Sequence, residues 1–223
     1  HGGPGSNMAY YSYGWQADLE KAYTIVQWDQ RGCGNTYYRN KHAEKPTLDL
    51  LLSDLDELTE YIRLEYGKEK VIIMGHSWGT FLGGVYSGKH PEKVSAYIAV
   101  GQMVDFKLSE QVSAQEAIRL ANTAGKTQDA QDIGDALDSI MAFQKLDMQN
   151  AMELMKFRQL KEKYLPSQYG DKMGALQIFS PYMTLSEWKW MLSFDSLIES
   201  NSEIYKGLLS EKQFICLRLQ FTV

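Results

Sequence analysis

The sequence predicts an α/β fold built on a mostly parallel sheet, and three observations carry that prediction. Short apolar runs, Val71-Ile72-Ile73-Met74 and Val94 to Val100, have the length and composition of buried strands. Amphipathic or Gly-rich helical stretches lie between and before them, the alternation that makes right-handed βαβ units. Finally, Gly75-His76-Ser77-Trp78-Gly79 is a G-x-S-x-G set between one such strand and one such helix.

Taken in order, Gln16 to Lys21 is polar enough for a short helix, and Tyr23-Thr24-Ile25-Val26-Gln27-Trp28 is a β-rich run expected to form a strand. Pro46 and Thr47 open a long helix whose Leu48, Leu51, Leu52, Leu55, Leu58 and Ile62 fall at helical spacing, and Gly67 closes it. Residues 78 to 89 form a buried, Gly-rich helix ending before Pro91. Beyond Gly101 the pattern turns helical throughout. Ile133, Leu137, Ile140, Met141 and Met148 predict one long helix, and further helices are expected near 110–122, 150–163, 184–195 and 197–209. Phe214 to Val223 reads as a final strand. The domain expectation is therefore an α/β core over 1–104, a helical unit over 105–212 and a strand returning to the core from 213.

Composition excludes several function classes. With 44% hydrophobic and 23% charged residues the chain is an ordinary globular one. Its net charge of −5 is spread over both halves, which argues against nucleic acid or an anionic membrane as a partner. No apolar run approaches the ~20 residues that span a bilayer. Two cysteines, Cys33 and Cys216, make no disulfide framework and suit a reducing, cytoplasmic compartment. The four histidines show no zinc-ligand spacing, so no metal and no cofactor is expected. Gly83 to Lys89 has the spacing of a phosphate-binding loop but lies inside a predicted helix, with His90 where Ser or Thr would hold a metal.

The chemistry gathers in three segments. At the G-x-S-x-G, a tight strand-to-helix turn lifts the Ser77 hydroxyl above the sheet, at a helix N-terminus whose free N–H groups favour negative charge. The glycines are needed because side chains there would strike neighbouring backbone. His1-Gly2-Gly3-Pro4-Gly5 is a turn whose backbone can come close to a ligand and aim N–H groups at it. Trp28-Asp29-Gln30-Arg31-Gly32-Cys33-Gly34-Asn35 follows a predicted strand, and Asp29 and Arg31 are expected to shape that loop by ion pairing or backbone hydrogen bonds.

In this order and spacing the three segments resemble the proline iminopeptidase family of α/β-hydrolases. That resemblance implies an α/β-hydrolase sheet with an inserted helical cap over 105–212. It implies Ser77 as nucleophile, the N–H groups of Gly3 and Trp78 as oxyanion donors, and removal of an N-terminal residue, often proline, from small peptides without metal or cofactor. A carboxylate in the cap should hold the substrate ammonium; Glu153, Glu187 and Glu203 are the candidates. In Ser186-Glu187-Trp188-Lys189-Trp190-Met191 the tryptophans are followed by Lys and Met rather than the family's Glu. A hydrolase of another ester, amide or lactone is therefore the alternative. Epoxide and haloalkane hydrolases are disfavoured, because they use Asp where this chain has Ser77.

The triad is incomplete. Ser77 needs a base and an acid to orient it, and in this fold they follow the nucleophile. His90, the sole later histidine, lies thirteen residues on across a helix, and no later Asp is placed to serve. With His rather than Met at position 1, the expectation is a hydrolase truncated at both ends; the alternative is an inactive hydrolase-fold binding protein.

Overall fold

The computed structural model of the chain describes residues 1–40, 42–165 and 180–209. Three short helices occupy its beginning: α1 (Ala9–Ser12), α2 (Ala17–Glu20) and α3 (Gly34–Arg39). The strand expected over Tyr23–Trp28 is absent. That stretch has no regular structure, with a bend at Tyr23, and Tyr23 and Val26 are exposed. A strand needs a ladder neighbour as well as β-prone side chains. The one sheet among the described residues joins two other segments.

α4 (Leu48–Glu65) starts where the sequence places it. Thr47 accepts the Leu50 N–H at 3.2 Å, and Leu51, Leu52 and Leu55 form its buried face. Gly67 follows the helix at φ +59°, a left-handed conformation that ends it. Strand β1 (Val71–His76), helix α5 (Trp78–Lys89) and strand β2 (Val94–Val100) form a βαβ unit, with β1 and β2 parallel and His76 opposite Val100. Every residue of α5 from Trp78 to Tyr86 is buried, the sign of a helix apolar all round. A Cβ on Gly83 would lie 3.0 Å from the Ile73 side chain and 3.2 Å from the Tyr97 ring, so the helix sits close against the sheet. The phosphate-loop spacing of Gly83 to Lys89 is thus wound into this helix.

The remaining described elements are helices: α6 (Phe106–Thr123), α7 (Thr127–Met141), α8 (Met148–Glu162), α9 (Leu185–Leu192), α10 (Phe194–Ser200) and α11 (Ser202–Leu209). Two sequence expectations need correction here. The long helix drawn through Met148 stops at Met141, because Asp147 accepts the Asn150 N–H at 3.0 Å and starts α8 afresh. Phe143 and Leu146, between the two helices, are buried in the connection. The helix drawn over 197–209 breaks at Asn201, whose amide turns back to the Leu197 carbonyl at 3.0 Å. The strand expected over 213–223 lies outside the described residues.

Two apolar clusters form the interior. One joins α6, α7 and α8 through Ala114, Ile133, Ile140, Leu154 and Phe157, with Ile198 and Leu209 added. The other joins α4 and α5 through Leu51, Trp78, Phe81, Leu82 and Tyr86, with Ile204 and Leu208 added. Tyr205 packs against both, so α11 is the wedge that ties the helical layer to the βαβ unit. Within the first cluster Glu110 of α6 takes Lys161 of α8 at 2.5 Å and the Arg158 guanidinium beside it. Lys161 also reaches Ser113 at 2.7 Å and lies over the Phe157 ring. No helix among the described residues is long and apolar enough to cross a membrane.

Candidate active site

Ser77 fills the one-residue turn between β1 and α5 at φ 50°, ψ −117°. It is the single non-glycine residue with positive φ among the described residues. Such a conformation costs about 1–3 kcal/mol and persists only when its surroundings enforce it. They do so from both sides. The Ser77 N–H donates to the Val100 carbonyl at 2.9 Å, and the Ser77 carbonyl accepts from the Thr80 N–H at 2.9 Å and the Thr80 hydroxyl at 2.5 Å.

The glycines of the turn are there for lack of room. A Cβ on Gly75 would lie 2.6 Å from the Gly79 carbonyl carbon and 2.7 Å from the Thr80 nitrogen. A Cβ on Gly79 would lie 2.8 Å from the His1 carbonyl oxygen. A Cβ on Gly2 would sit 3.5 Å from the Ser77 Cβ. The turn and the His1–Gly5 loop are therefore in direct backbone contact. Gly3 and Gly5, at φ +112° and +89°, give that loop its curl.

Three groups at this junction have no hydrogen-bond partner among the described residues: the half-buried Ser77 hydroxyl, the Trp78 N–H and the Gly3 N–H. The Trp78 N–H is one of the orphan donors that every helix start carries.

The Asp29–Asn35 loop holds the neighbourhood in shape. Asp29 and Arg31 do not pair with each other. Asp29 Oδ2 accepts the Asn35 N–H at 3.1 Å, and its carbonyl accepts the Thr36 hydroxyl at 2.8 Å. Burial raises the Asp29 carboxyl above its ordinary pKa, with the Asn35 hydrogen bond working the other way. Arg31 forks onto Asp54 of α4 at 2.8 and 2.5 Å. Gln30 accepts the buried Trp78 indole N–H at 3.3 Å. The His1 ring accepts the Gln30 N–H on Nε2 at 3.3 Å, which leaves Nδ1 to donate to the Gly2 carbonyl at 2.9 Å. Cys33 sits beside that ring, its thiol pushed up by burial.

No imidazole hydrogen-bonds Ser77 among the described residues, and all four histidines are among them. His1 is tied into its loop, His42 and His76 face solvent, and His90 at the end of α5 faces Glu92 at 3.3 Å. Asp105 is spent capping α6. No group of three or more His, Cys, Asp or Glu among the described residues could hold a metal ion.

The three candidate glutamates fall in different places. Glu153 bonds Ser139 and Gln149 on the outside of α7 and α8, and makes no hydrogen bond to the turn or its loops among the described residues. Glu187 is buried in the first turn of α9, where its Oε2 accepts the Thr184 N–H at 2.6 Å and its Oε1 faces the Asn7 amide at 3.5 Å. Glu203 of α11 has an exposed side chain that faces Lys206 at 3.9 Å, and it lines a cavity of about 130 Å³ together with Trp78 and Phe81. Sequence reasoning missed the grip of the helical layer on the loops. The Trp190 indole donates to the Gly5 carbonyl at 2.7 Å, the Tyr205 hydroxyl to the Pro4 carbonyl at 3.1 Å, and the Ser200 hydroxyl to the Gly32 carbonyl at 2.8 Å. The only sequence signals were small residues at positions 5 and 32 and aromatic ones far down the chain.

Comparison with known proteins agrees with this geometry. The sequence profile of the family described as alpha/beta hydrolase fold matches residues 1–180. A protein named probable aminopeptidase YbaC, from Bacillus subtilis, is 31% identical over 119 residues, which is 53% of this chain and 37% of that protein. A proline iminopeptidase of Lactobacillus delbrueckii subsp. bulgaricus is 29% identical over 137 residues, 56% of this chain and 45% of its own length. A putative proline iminopeptidase of Mycoplasma pneumoniae is 36% identical over 99 residues, 42% of this chain and 28% of its own. In each case the match spans less than half of the relative. With the parallel βαβ unit, the tight turn at Ser77 and a family match over most of its length, the chain belongs to the alpha/beta hydrolase fold family.

Proposed function

We propose that this sequence carries the nucleophile and the oxyanion half-site of a cytoplasmic serine hydrolase that releases the N-terminal residue, often proline, from small peptides. The observation that carries the reading is Ser77 at φ 50° on the β1–α5 turn, next to the unpartnered N–H groups of Trp78 and Gly3. In the proposed step Ser77 Oγ bonds to the scissile carbonyl carbon while its proton passes to a base. The carbonyl electron pair moves onto oxygen, between the two N–H donors, and returns as the C–N bond breaks and the amine leaves with a proton. Water then releases the acyl group. Helices α6 to α11, within the unit expected over 105–212, act as the cap. Glu203, exposed, held only by a long 3.9 Å pairing with Lys206 and lining one cavity with Trp78, is the better ammonium partner; Glu187 is buried and engaged by the Thr184 N–H. That engagement, and Lys189 and Met191 beside the tryptophans, favour as second reading a hydrolase of other esters, amides or lactones.

None of the four histidines is placed as base, so residues 1–223 alone are expected to show negligible turnover. Ordinary turnover by this chain, lost in Ser77→Ala, would contradict that. The substrate class is tested on the polypeptide as its gene encodes it, with prolyl amides bearing a free amine, their N-acetylated counterparts and simple acyl esters. Free-amine amides should be cleaved and acetylated ones refused, with Glu203→Gln raising KM for the former. Refusal of every free-amine substrate alongside hydrolysis of acyl esters would replace the peptidase reading by the second one.

A further inference from the structure

We infer that Trp190 and Tyr205 are positioning residues for the reaction: from the helical layer they hold the loop that carries the Gly3 N–H, so that seating of those helices and oxyanion stabilisation are coupled. The inference rests on the Ser77 reading above. Its basis is where the hydrogen bonds fall. The loop His1–Gly5 could have been braced by its own neighbours in the sheet unit. Instead the carbonyls of the two residues after Gly3 are taken by side chains about 185 and 200 positions later in the chain, Trp190 to Gly5 and Tyr205 to Pro4.

Both donors are themselves held. Trp190 is 1% exposed and its ring lies against Tyr37, centroid to centroid 4.8 Å. Tyr205 packs on both apolar clusters. The fit is close: a Cβ on Gly5 would lie 2.5 Å from the Asn201 amide nitrogen and one on Gly32 2.5 Å from the Ser200 hydroxyl. Asn201, in turn, reaches the Gly32 carbonyl at 3.4 Å. Helices α9 to α11 thus grip both loops that flank the Ser77 turn. A peptide plane whose carbonyl is pinned cannot rotate freely: the Gly5 carbonyl shares its plane with the Ser6 N–H, which donates to the Gly2 carbonyl at 3.2 Å, and the Gly2 carbonyl shares its plane with the Gly3 N–H, so the Trp190 bond reaches the donor through one turn while Tyr205 fixes the plane between. A donor displaced by a fraction of an ångström loses much of its effect on a developing oxyanion.

The test uses Trp190→Phe and Tyr205→Phe, which keep an aromatic ring and delete one donor each. In the polypeptide as its gene encodes it, each should lower kcat on a small ester about 3- to 10-fold, the range of one lost hydrogen bond, with KM unchanged. Affinity for a tetrahedral mimic such as a boronic acid should fall by the same factor, while that for a substrate-like competitive inhibitor stays fixed. In residues 1–223, amide hydrogen exchange within 2–8 should quicken in both variants. A variant that merely unpacks the helices would lose melting temperature without this selective loss, and the conservative Tyr205→Phe keeps the comparison open if Trp190→Phe does not fold. Unchanged kcat and unchanged exchange in both variants would overturn the inference, as would equal losses for the mimic and the substrate-like inhibitor. Turnover surviving Ser77→Ala would instead remove the underlying reading.

Discussion

Gly75→Ala is expected to destabilise the chain by roughly 3 kcal/mol or more, at the upper end of what overpacking costs. The new methyl would meet the Gly79 carbonyl carbon at 2.6 Å and the Thr80 nitrogen at 2.7 Å. These are backbone atoms of α5's first turn, which cannot swing aside as a side chain would. Moving them drags Thr80, whose N–H and hydroxyl hold the Ser77 carbonyl and whose Oγ1 accepts the Met103 N–H at 2.8 Å. The substitution should therefore also relax Ser77 from positive φ. Denaturant unfolding gives the magnitude. Gly134→Ala is the control: it lies inside α7 with open space where its Cβ would be, and should stabilise by about 0.5–1 kcal/mol through helix propensity. Equal effects at both positions would mean that crowding at the turn is not what selects glycine there.

Glu110→Ala is expected to cost about 3–5 kcal/mol, the penalty of leaving a buried charge without its partner. Lys161 is 7% exposed and, among the described residues, would keep only the Ser113 hydroxyl and the Phe157 ring. Arg158, half exposed, can turn to water. Replacing Glu110 and Lys161 together by Met should recover most of the loss, since two desolvated charges are then removed with their attraction. The pair also sets an acid limit. Burial alone would raise the Glu110 carboxyl, but Arg158 and Lys161 outweigh it and hold it below its ordinary value of 4.5. A carboxyl whose folded pKa is depressed lends its full stability above the unfolded value and loses it as pH falls. The melting temperature should therefore drop as pH is lowered from about 4.5, and Glu110→Gln should flatten that dependence. A Glu110→Ala variant as stable as the parent would show that the network contributes nothing to α6–α8 packing.

Elements with a local cause were legible in the sequence. Thr47 and Gly67 mark the ends of α4 by capping and left-handed geometry, and the G-x-S-x-G announces a turn that only glycines can make around Ser77. Elements with a non-local cause were not. Tyr23–Trp28 has strand composition, but composition does not supply a partner for its backbone. Met141 and Met148 share a helical stripe by spacing alone, while Asp147 cuts the helix between them by taking a backbone N–H. Glu187 is a ligand candidate by its place in the expected cap alone, yet the same position suits a capping box with Thr184. Of the site, the Ser77 turn was visible beforehand. The braces from Trp190, Ser200 and Tyr205 were not, because a hydrogen bond across about 180 residues leaves no periodic trace.

Covalent labelling reads whether Ser77 is the attacking group. The polypeptide as its gene encodes it would be treated with a fluorophosphonate, and the adduct located by peptide mass spectrometry alongside residual turnover. One adduct is expected, on Ser77, in step with loss of activity, and neither adduct nor turnover in Ser77→Ala. Turnover that survives Ser77→Ala, or inactivation with the label on another residue, would contradict it.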